Sequence, residues 1–154
     1  MYPLFRNAGI ALLVALPMFA QAQATPDEAK SMLSSIVAQA KAQGVGKAAE
    51  AINAGTDATK CKEKKGFGCM IATSAAMVLA NAKNQKLVGN EFPADFADID
   101  GTPIVKQIVG PINAGKSQWE AQYKFAVGNS AKAVPQHAFC EKIDAKTLAC
   151  VILQ

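Results

Sequence analysis

Apolar and polar side chains alternate strictly between Trp119 and Phe125, where the sequence reads WEAQYKF. A period of two is typical of a strand that buries one face and leaves the other in water. Such strands belong to antiparallel sheets, because parallel strands are usually covered on both faces and lack the alternation. The chain is therefore expected to contain an antiparallel sheet with other elements packed against it.

The first 24 residues have the features of a secretory signal peptide. Arg6 and the amino terminus supply positive charge, residues 8–19 are apolar apart from Pro17, and small-x-small cleavage frames end at Ala22 and Ala24. The apolar run is shorter than the ~20 residues of a membrane span, so cleavage is favoured over an uncleaved anchor. Removing 24 of the 154 residues leaves 130, which suits one periplasmic or secreted domain.

Four cysteines lie beyond the predicted signal peptide, and an even number in an exported chain indicates two disulfides with three possible connectivities. A hairpin centred near Ala145 would place Cys140 directly opposite Cys150, with Cβ atoms about 4.5–5.5 Å apart. We therefore expect Cys140 to pair with Cys150 and, by elimination, Cys61 with Cys69. The spacings contain no C-x-x-C, which argues against a redox-active pair or a zinc knuckle.

The sequence predicts two helices before the first strand and a third helix between two of the strands. Thr25 to Glu28 combines an N-cap, a proline at the first helical position and a capping box. Apolar residues at helical spacing continue this helix to Gly44. A second helix is predicted from about Lys47 to Ala54, and a third over 104–109 that ends at Gly110-Pro111.

The predicted strands outnumber the helices. Besides Trp119 to Phe125, they cover residues 67–73, 75–80, 138–143 and 148–152, with residues 128–135 as a loop. Antiparallel strands with helices on one face make an α+β fold, in which a long N-terminal helix packs on a sheet of about five strands.

The charge pattern is mild. Arg6 is the single arginine, so the predicted mature domain carries 15 lysines and 12 acidic residues, a net charge of +3. Residues 60–65 contain four lysines and Glu63, and we favour a solvated loop over a nucleic-acid patch, which would need clustered Arg and Lys with aromatic residues. Without arginine no guanidinium fork can hold a carboxylate.

Catalytic and metal sites are not indicated. Aligning Gly101 of the Asp98–Gly101 turn with the sixth position of a calcium loop places Phe96 at position 1 and Gln107 at position 12, so two key ligands fail. His137 is the only histidine and has no nucleophile pattern to serve. We expect a protein that is not an enzyme and that needs no cofactor.

Three aromatic residues are candidates for a ligand site. Trp119 and Tyr123 share one face of their strand, so both should be core or both should line a cavity. Phe139 lies on the next predicted strand, and His137 at its start is a candidate polar group of a pocket. The buried N–H of Trp and O–H of Tyr would need hydrogen-bond partners.

The order of elements from Met77 to Phe125 resembles that of the single Cache domain, an extracytoplasmic sensor module of bacterial chemoreceptors and histidine kinases. A short apolar strand runs into NAKNQ, then LVG, DIDGTP, an apolar helix and W-x-x-x-Y-x-F. The long first helix, the GxxKAxxAIN element at Gly44 to Asn53 and the closing hairpin extend the likeness over nearly all of the predicted mature chain.

The resemblance implies a PAS-like antiparallel sheet behind a long helix, with a pocket for small molecules that are often short carboxylates. It implies a ligand site formed by five residues, Trp119, Tyr123, Gln136, His137 and Phe139. The partners implied are a small organic metabolite and a membrane-bound receptor or histidine kinase, with neither nucleic acid nor stable membrane insertion.

The sequence departs from the family at several pocket positions. Asn81-Ala82 stands where the family often has His-Pro, and Gln136 and Phe139 stand where it often has lysine and tyrosine. The chain ends at Gln154 without a following membrane helix, so we expect a stand-alone exported sensor domain. The alternative is a disulfide-stapled structural or interaction protein without a ligand, and a small hydrolase is disfavoured.

Overall fold

The computed structural model of the protein describes residues 24–126 and 132–154. The predicted signal peptide up to Gln23, including the cleavage frame after Ala22, lies outside the described residues, as do residues 127–131 of the predicted 128–135 loop. No helix within the described ranges is long and apolar enough to cross a membrane.

The first two helices are α1 (Pro26–Gln43) and α2 (Val45–Ala54). Thr25 caps α1 as predicted, because its hydroxyl accepts a hydrogen bond from the Glu28 N–H at 3.2 Å. Helix α2 begins two residues earlier than the sequence indicates and ends at Gly55, whose φ of 80° is in the left-handed region that suits a C-terminal glycine.

Five antiparallel strands form one sheet, which together with α1 confirms the predicted α+β fold. They are β1 (Phe67–Thr73), β2 (Val78–Asn81), β3 (Gln118–Ala126), β4 (Ala133–Lys142) and β5 (Thr147–Leu153). Their spatial order is β2-β1-β5-β4-β3, so β2 and β3 are the outermost strands.

The two faces of the sheet are covered by different parts of the chain. Helices α1 and α2 pack on one face, which we call the helix face, with buried residues such as Ile36, Ile71 and Val151. Residues 83–113, which we call the cover, lie over the other face. The cover contains a 3-10 helix (Gln85–Leu87) and the short helices α3 (Ile104–Ile108) and α4 (Gly110–Asn113).

Helix α3 ends at Ile108, just before Gly110-Pro111 as predicted, and a separate short helix, α4, begins there, because a proline fits the first turn of a helix, where its missing N–H is not needed. The prediction for Pro135 is wrong. Pro135 lies inside β4, opposite Lys124, and not in a loop. Pairing between β4 and β5 starts only at His137 and Leu153, so no neighbouring strand requires the missing N–H of Pro135.

Both disulfides join the predicted partners. Cys140 and Cys150 are directly opposed on β4 and β5, with a Cα–Cα distance of 4.1 Å. The Cys61–Cys69 disulfide joins residues 60–65, which we call the lysine-rich loop, to β1. All four cysteines are buried, and such bonds fit an exported protein.

Candidate ligand-binding site

A cavity of about 350 Å³ lies between the sheet and the cover. Its floor includes Met70 on β1 and Ile152 on β5, which are central strands of the sheet. Apolar side chains of the cover form much of the opposite wall; they are Leu87, Phe92, Phe96, Ile104, Val105 and Ile108. This volume is within the usual range of small-molecule pockets, which are also mostly apolar with a few placed polar groups.

Polar groups enter the cavity from two separate regions of the sheet. Asn81, Lys83 and Lys86 come from the end of β2 and the turn after it, whereas Tyr123 and Gln136 are opposed on β3 and β4. Three strand spacings separate β2 from β4, which corresponds to about 14 Å at the usual separation of neighbouring strands. The cavity is therefore elongated across the sheet.

Lys83 is held in place by the backbone of the lysine-rich loop. Its ammonium group donates to the carbonyl oxygens of Lys62 at 2.9 Å and Lys64 at 2.7 Å. Desolvation by burial lowers the pKa of Lys83 from its usual value. No aspartate or glutamate among the described residues lines the cavity, so its charged side chains are the two lysines, Lys83 and Lys86.

Tyr123 and Gln136 are the two predicted site residues that line this cavity. Burial raises the pKa of the Tyr123 hydroxyl far above its usual value, so the group remains a protonated hydrogen-bond donor at every physiological pH. The Gln136 side chain is buried, and its amide donates a long hydrogen bond of 3.5 Å to the Phe125 carbonyl. Both groups are available to a polar atom of a ligand.

Trp119 does not follow Tyr123 into the cavity, although both side chains are on the same face of β3. Trp119 belongs to the buried cluster that includes Ile108 and Ile112, and its indole N–H has no partner among the described residues. Both residues nevertheless belong to the same buried cluster and are less than a tenth exposed, as expected if both are core, and Tyr123 additionally reaches the cavity.

His137 and Phe139 lie on the helix face, away from the cavity. Their ring centroids are 4.3 Å apart with the planes tilted by 36°, and His137 Nε2 is 2.9 Å from a carboxylate oxygen of Glu120. The ammonium of Lys30 on α1 is 5.1 Å from the centre of the Phe139 ring. These contacts fix α1 against the sheet, so the structure separates the five predicted residues into two groups on opposite faces.

The cover is attached to β3 by three side chains, one of which is Asp100, whose carboxylate pairs with the Lys124 ammonium at 2.5 Å. The Asp98 carboxylate accepts hydrogen bonds from the backbone N–H of Lys124 at 2.8 Å and of Thr102 at 2.7 Å. The Gln107 amide oxygen accepts from the N–H of Gln122 at 3.2 Å. The Asp98–Gly101 turn superficially matches a calcium loop. The Asp98 carboxylate in this turn instead accepts the hydrogen bonds that hold the cover on β3.

Asp98 should make the attachment of the cover depend on pH. Partial desolvation raises the pKa of Asp98, but hydrogen bonds from the N–H groups of Lys124, Thr102 and Asp100 outweigh it and lower the pKa overall. A carboxylate whose pKa is lower in the folded than in the unfolded state stabilises the folded protein at pH values above its unfolded-state pKa of about 3.9. This stabilisation is lost as the pH falls through the pKa of the folded state. Because intrinsic amide exchange itself slows in mild acid, the quantity to compare is the protection factor, and we expect the protection factors of the Lys124 and Thr102 amides to fall below about pH 4.

The matched variant Asp98→Ala should show low protection factors at these amides already at neutral pH, without a further fall specific to acid. Amides of the helix face provide the internal control. High protection factors at Lys124 and Thr102 in the variant would contradict the role of Asp98.

Most of the cavity-lining residues could not be predicted from the sequence. Phe92 and Phe96 lie in an irregular segment without periodicity, and Lys83 looks like an ordinary turn residue. The one available signal is the polar run from Asn81 to Asn84 directly after an apolar strand. Among the described residues no cluster of three or more His, Cys, Asp or Glu side chains could hold a metal ion.

No family model matches the sequence, and neither does any curated protein. Solved structures, in contrast, share the fold. A methyl-accepting chemotaxis protein from Vibrio parahaemolyticus superposes with a TM-score of 0.63 and 14% identity, covering 82% of this chain and 86% of that one. A Cache chemosensory domain described as recognising carboxylic acids gives a TM-score of 0.57 at 13% identity, covering 82% and 86% of the two chains.

A periplasmic sensor domain of a chemotaxis protein gives a TM-score of 0.56 at 13% identity, covering 82% of this chain and 88% of that one. Each of these similarities covers 82% of the chain. The chain therefore has the fold of the single Cache domain, the PAS-like module of periplasmic chemosensory proteins.

Proposed function

We propose that this protein is an exported sensor domain that binds a small organic metabolite in the cavity beneath the cover and passes the bound state to a membrane-bound receptor or kinase. The observation that carries the proposal is the cavity itself, about 350 Å³ in volume, with apolar walls and a few placed polar groups. The two disulfides support a periplasmic location.

The charge of the cavity favours an acidic ligand. Its charged side chains among the described residues are Lys83 and Lys86, and a carboxylate would be compensated there without an arginine. One structural neighbour is described as recognising carboxylic acids, which agrees with this charge. The groups that line the cavity among the described residues are apolar side chains and hydrogen-bonding groups, which support binding.

A thermal-shift screen of organic acids, amines and amino acids tests the proposal. A ligand present at a hundred times its Kd and bound only to the folded state adds about 2.7 kcal/mol to the unfolding free energy. For a domain of this size we expect a rise in Tm of about 10 °C.

Filling the cavity should abolish this response. Val105 lines it from α3, so the Val105→Trp variant places an indole ring where a ligand would lie. The exposed neighbour Lys106 does not line the cavity, and Lys106→Trp is the matched control. A screen without any shift in the wild-type chain would favour the alternative, a stapled structural protein that kept the fold without a ligand.

A further inference from the structure

The volume of the cavity exceeds the needs of a short carboxylate. At about 30 Å³ for each water-sized group, 350 Å³ holds roughly twelve such groups. Acetate or propionate would leave most of that space unfilled, and apolar walls left without contacts contribute no dispersion attraction. The volume fits a molecule with a body of several carbon atoms in addition to its polar head.

Charged and apolar side chains line different parts of the cavity. The lysines enter from the turn after β2, and the floor towards β4 is formed by the apolar side chains of Met70 and Ile152. At the far side Tyr123 and Gln136 provide uncharged hydrogen-bonding groups. Charge is therefore concentrated at one end of a cavity that is elongated across three strand spacings, about 14 Å.

Lys83 is better placed than Lys86 to hold an anionic head. Two of the three ammonium N–H donors of Lys83 are used by the carbonyl oxygens of Lys62 and Lys64, and one remains. This tether fixes the ammonium beforehand, so less side-chain entropy is lost when an anion binds. The Lys86 ammonium has no such tether within the described residues, although Lys86 also lines the cavity.

We propose that the cavity binds an elongated amphipathic anion, a medium-chain or arylalkyl carboxylate, with its head at the Lys83 ammonium and its apolar body across Met70 and Ile152 towards Gln136. This inference rests on the proposed function and names its ligand class. Lys83 is an exposed residue whose ammonium is held by two carbonyl oxygens, so an anion at the remaining N–H would meet a charge that is already fixed in place.

Calorimetric titration with straight-chain carboxylates from acetate to dodecanoate tests the proposal. Affinity should rise about fourfold with each added methylene group until the chain fills the cavity, and then fall. Octanol and octylamine are the neutral and cationic comparisons, and octanoate should bind at least tenfold more tightly than either. Equal affinities of acetate and octanoate, or of octylamine and octanoate, would overturn the proposal.

The variant Lys83→Met should weaken octanoate binding more than tenfold and leave octanol binding unchanged. Lys86→Met is the matched control and should retain most of the affinity for octanoate. Lys83→Arg keeps the positive charge and should restore binding in part, which separates loss of charge from a folding defect. Unchanged octanoate binding by a folded Lys83→Met protein would overturn the role of Lys83.

The results also distinguish this inference from the proposed function. If compounds of the general screen bind but the carboxylate series does not, the ligand class is wrong and the sensor function stands. If no compound of either set shifts Tm or releases heat with the folded protein, both are wrong.

Discussion

Replacing Cys61 and Cys69 together by alanine should lower the unfolding free energy by about 2–3 kcal/mol and weaken the binding of an anionic ligand at least tenfold. The first effect follows from the chain entropy of the unfolded state, because the disulfide closes a loop between residues eight positions apart. The second arises because this loop carries the Lys62 and Lys64 carbonyls that hold the Lys83 ammonium. Chemical denaturation and calorimetric titration measure the two effects separately.

The other disulfide provides a matched control. Cys140 and Cys150 close a loop of similar size, ten positions apart, so their replacement by alanine should cost about the same 2–3 kcal/mol. This bond joins β4 to β5 and does not contact the Lys83 tether, so ligand affinity per folded molecule should be retained. Equal losses of affinity in both double variants would mean that the Cys61–Cys69 loop has no special connection with the site.

Ile36→Ala should destabilise the protein by about 2–5 kcal/mol while leaving the affinity of the ligand site unchanged. Ile36 is 1% exposed and packs from α1 into the helix-face cluster with Ile71 and Val151. Removing its side chain loses apolar burial and leaves a void in a closely packed core. Denaturant titration gives the change in unfolding free energy.

Ser34→Ala is the control for this variant, because Ser34 is exposed on the same helix and its replacement should stay within about 0.5 kcal/mol of the wild type. Ligand titration of both variants below their unfolding transitions tests the separation of the two faces. A strong loss of affinity in folded Ile36→Ala would show that the helix face contributes to the site.

The parts of the fold that depend on local patterns can be predicted from the sequence. Thr25 and Pro26 fix the start of α1, and the alternation around Tyr123 gives β3 its direction of burial. The hairpin turn also determines that Cys140 faces Cys150. Each of these features depends on residues close in sequence or on a register that a short turn sets.

The site is less predictable from the sequence, because the residues that line it are distant in the chain and come together only in the folded protein. Phe92 and Phe96 belong to a segment without regular spacing, and their position over Met70 depends on where the cover is attached. His137 illustrates the same limit. It lines a second, more open pocket with Gln136 at the edge of the sheet, yet neighbouring residues of a strand point to opposite faces, and of the two only Gln136 reaches the cavity under the cover.

The contacts of Asp98 and Gln107 with β3 have a second consequence, for the behaviour of the protein at high concentration. β3 is an outermost strand, and such strands carry unpaired N–H groups that can recruit a strand from another molecule. Two of these groups, on Gln122 and Lys124, are already occupied by the cover. The same contacts that hold the cover therefore also shield this edge of the sheet from pairing with a strand of another molecule.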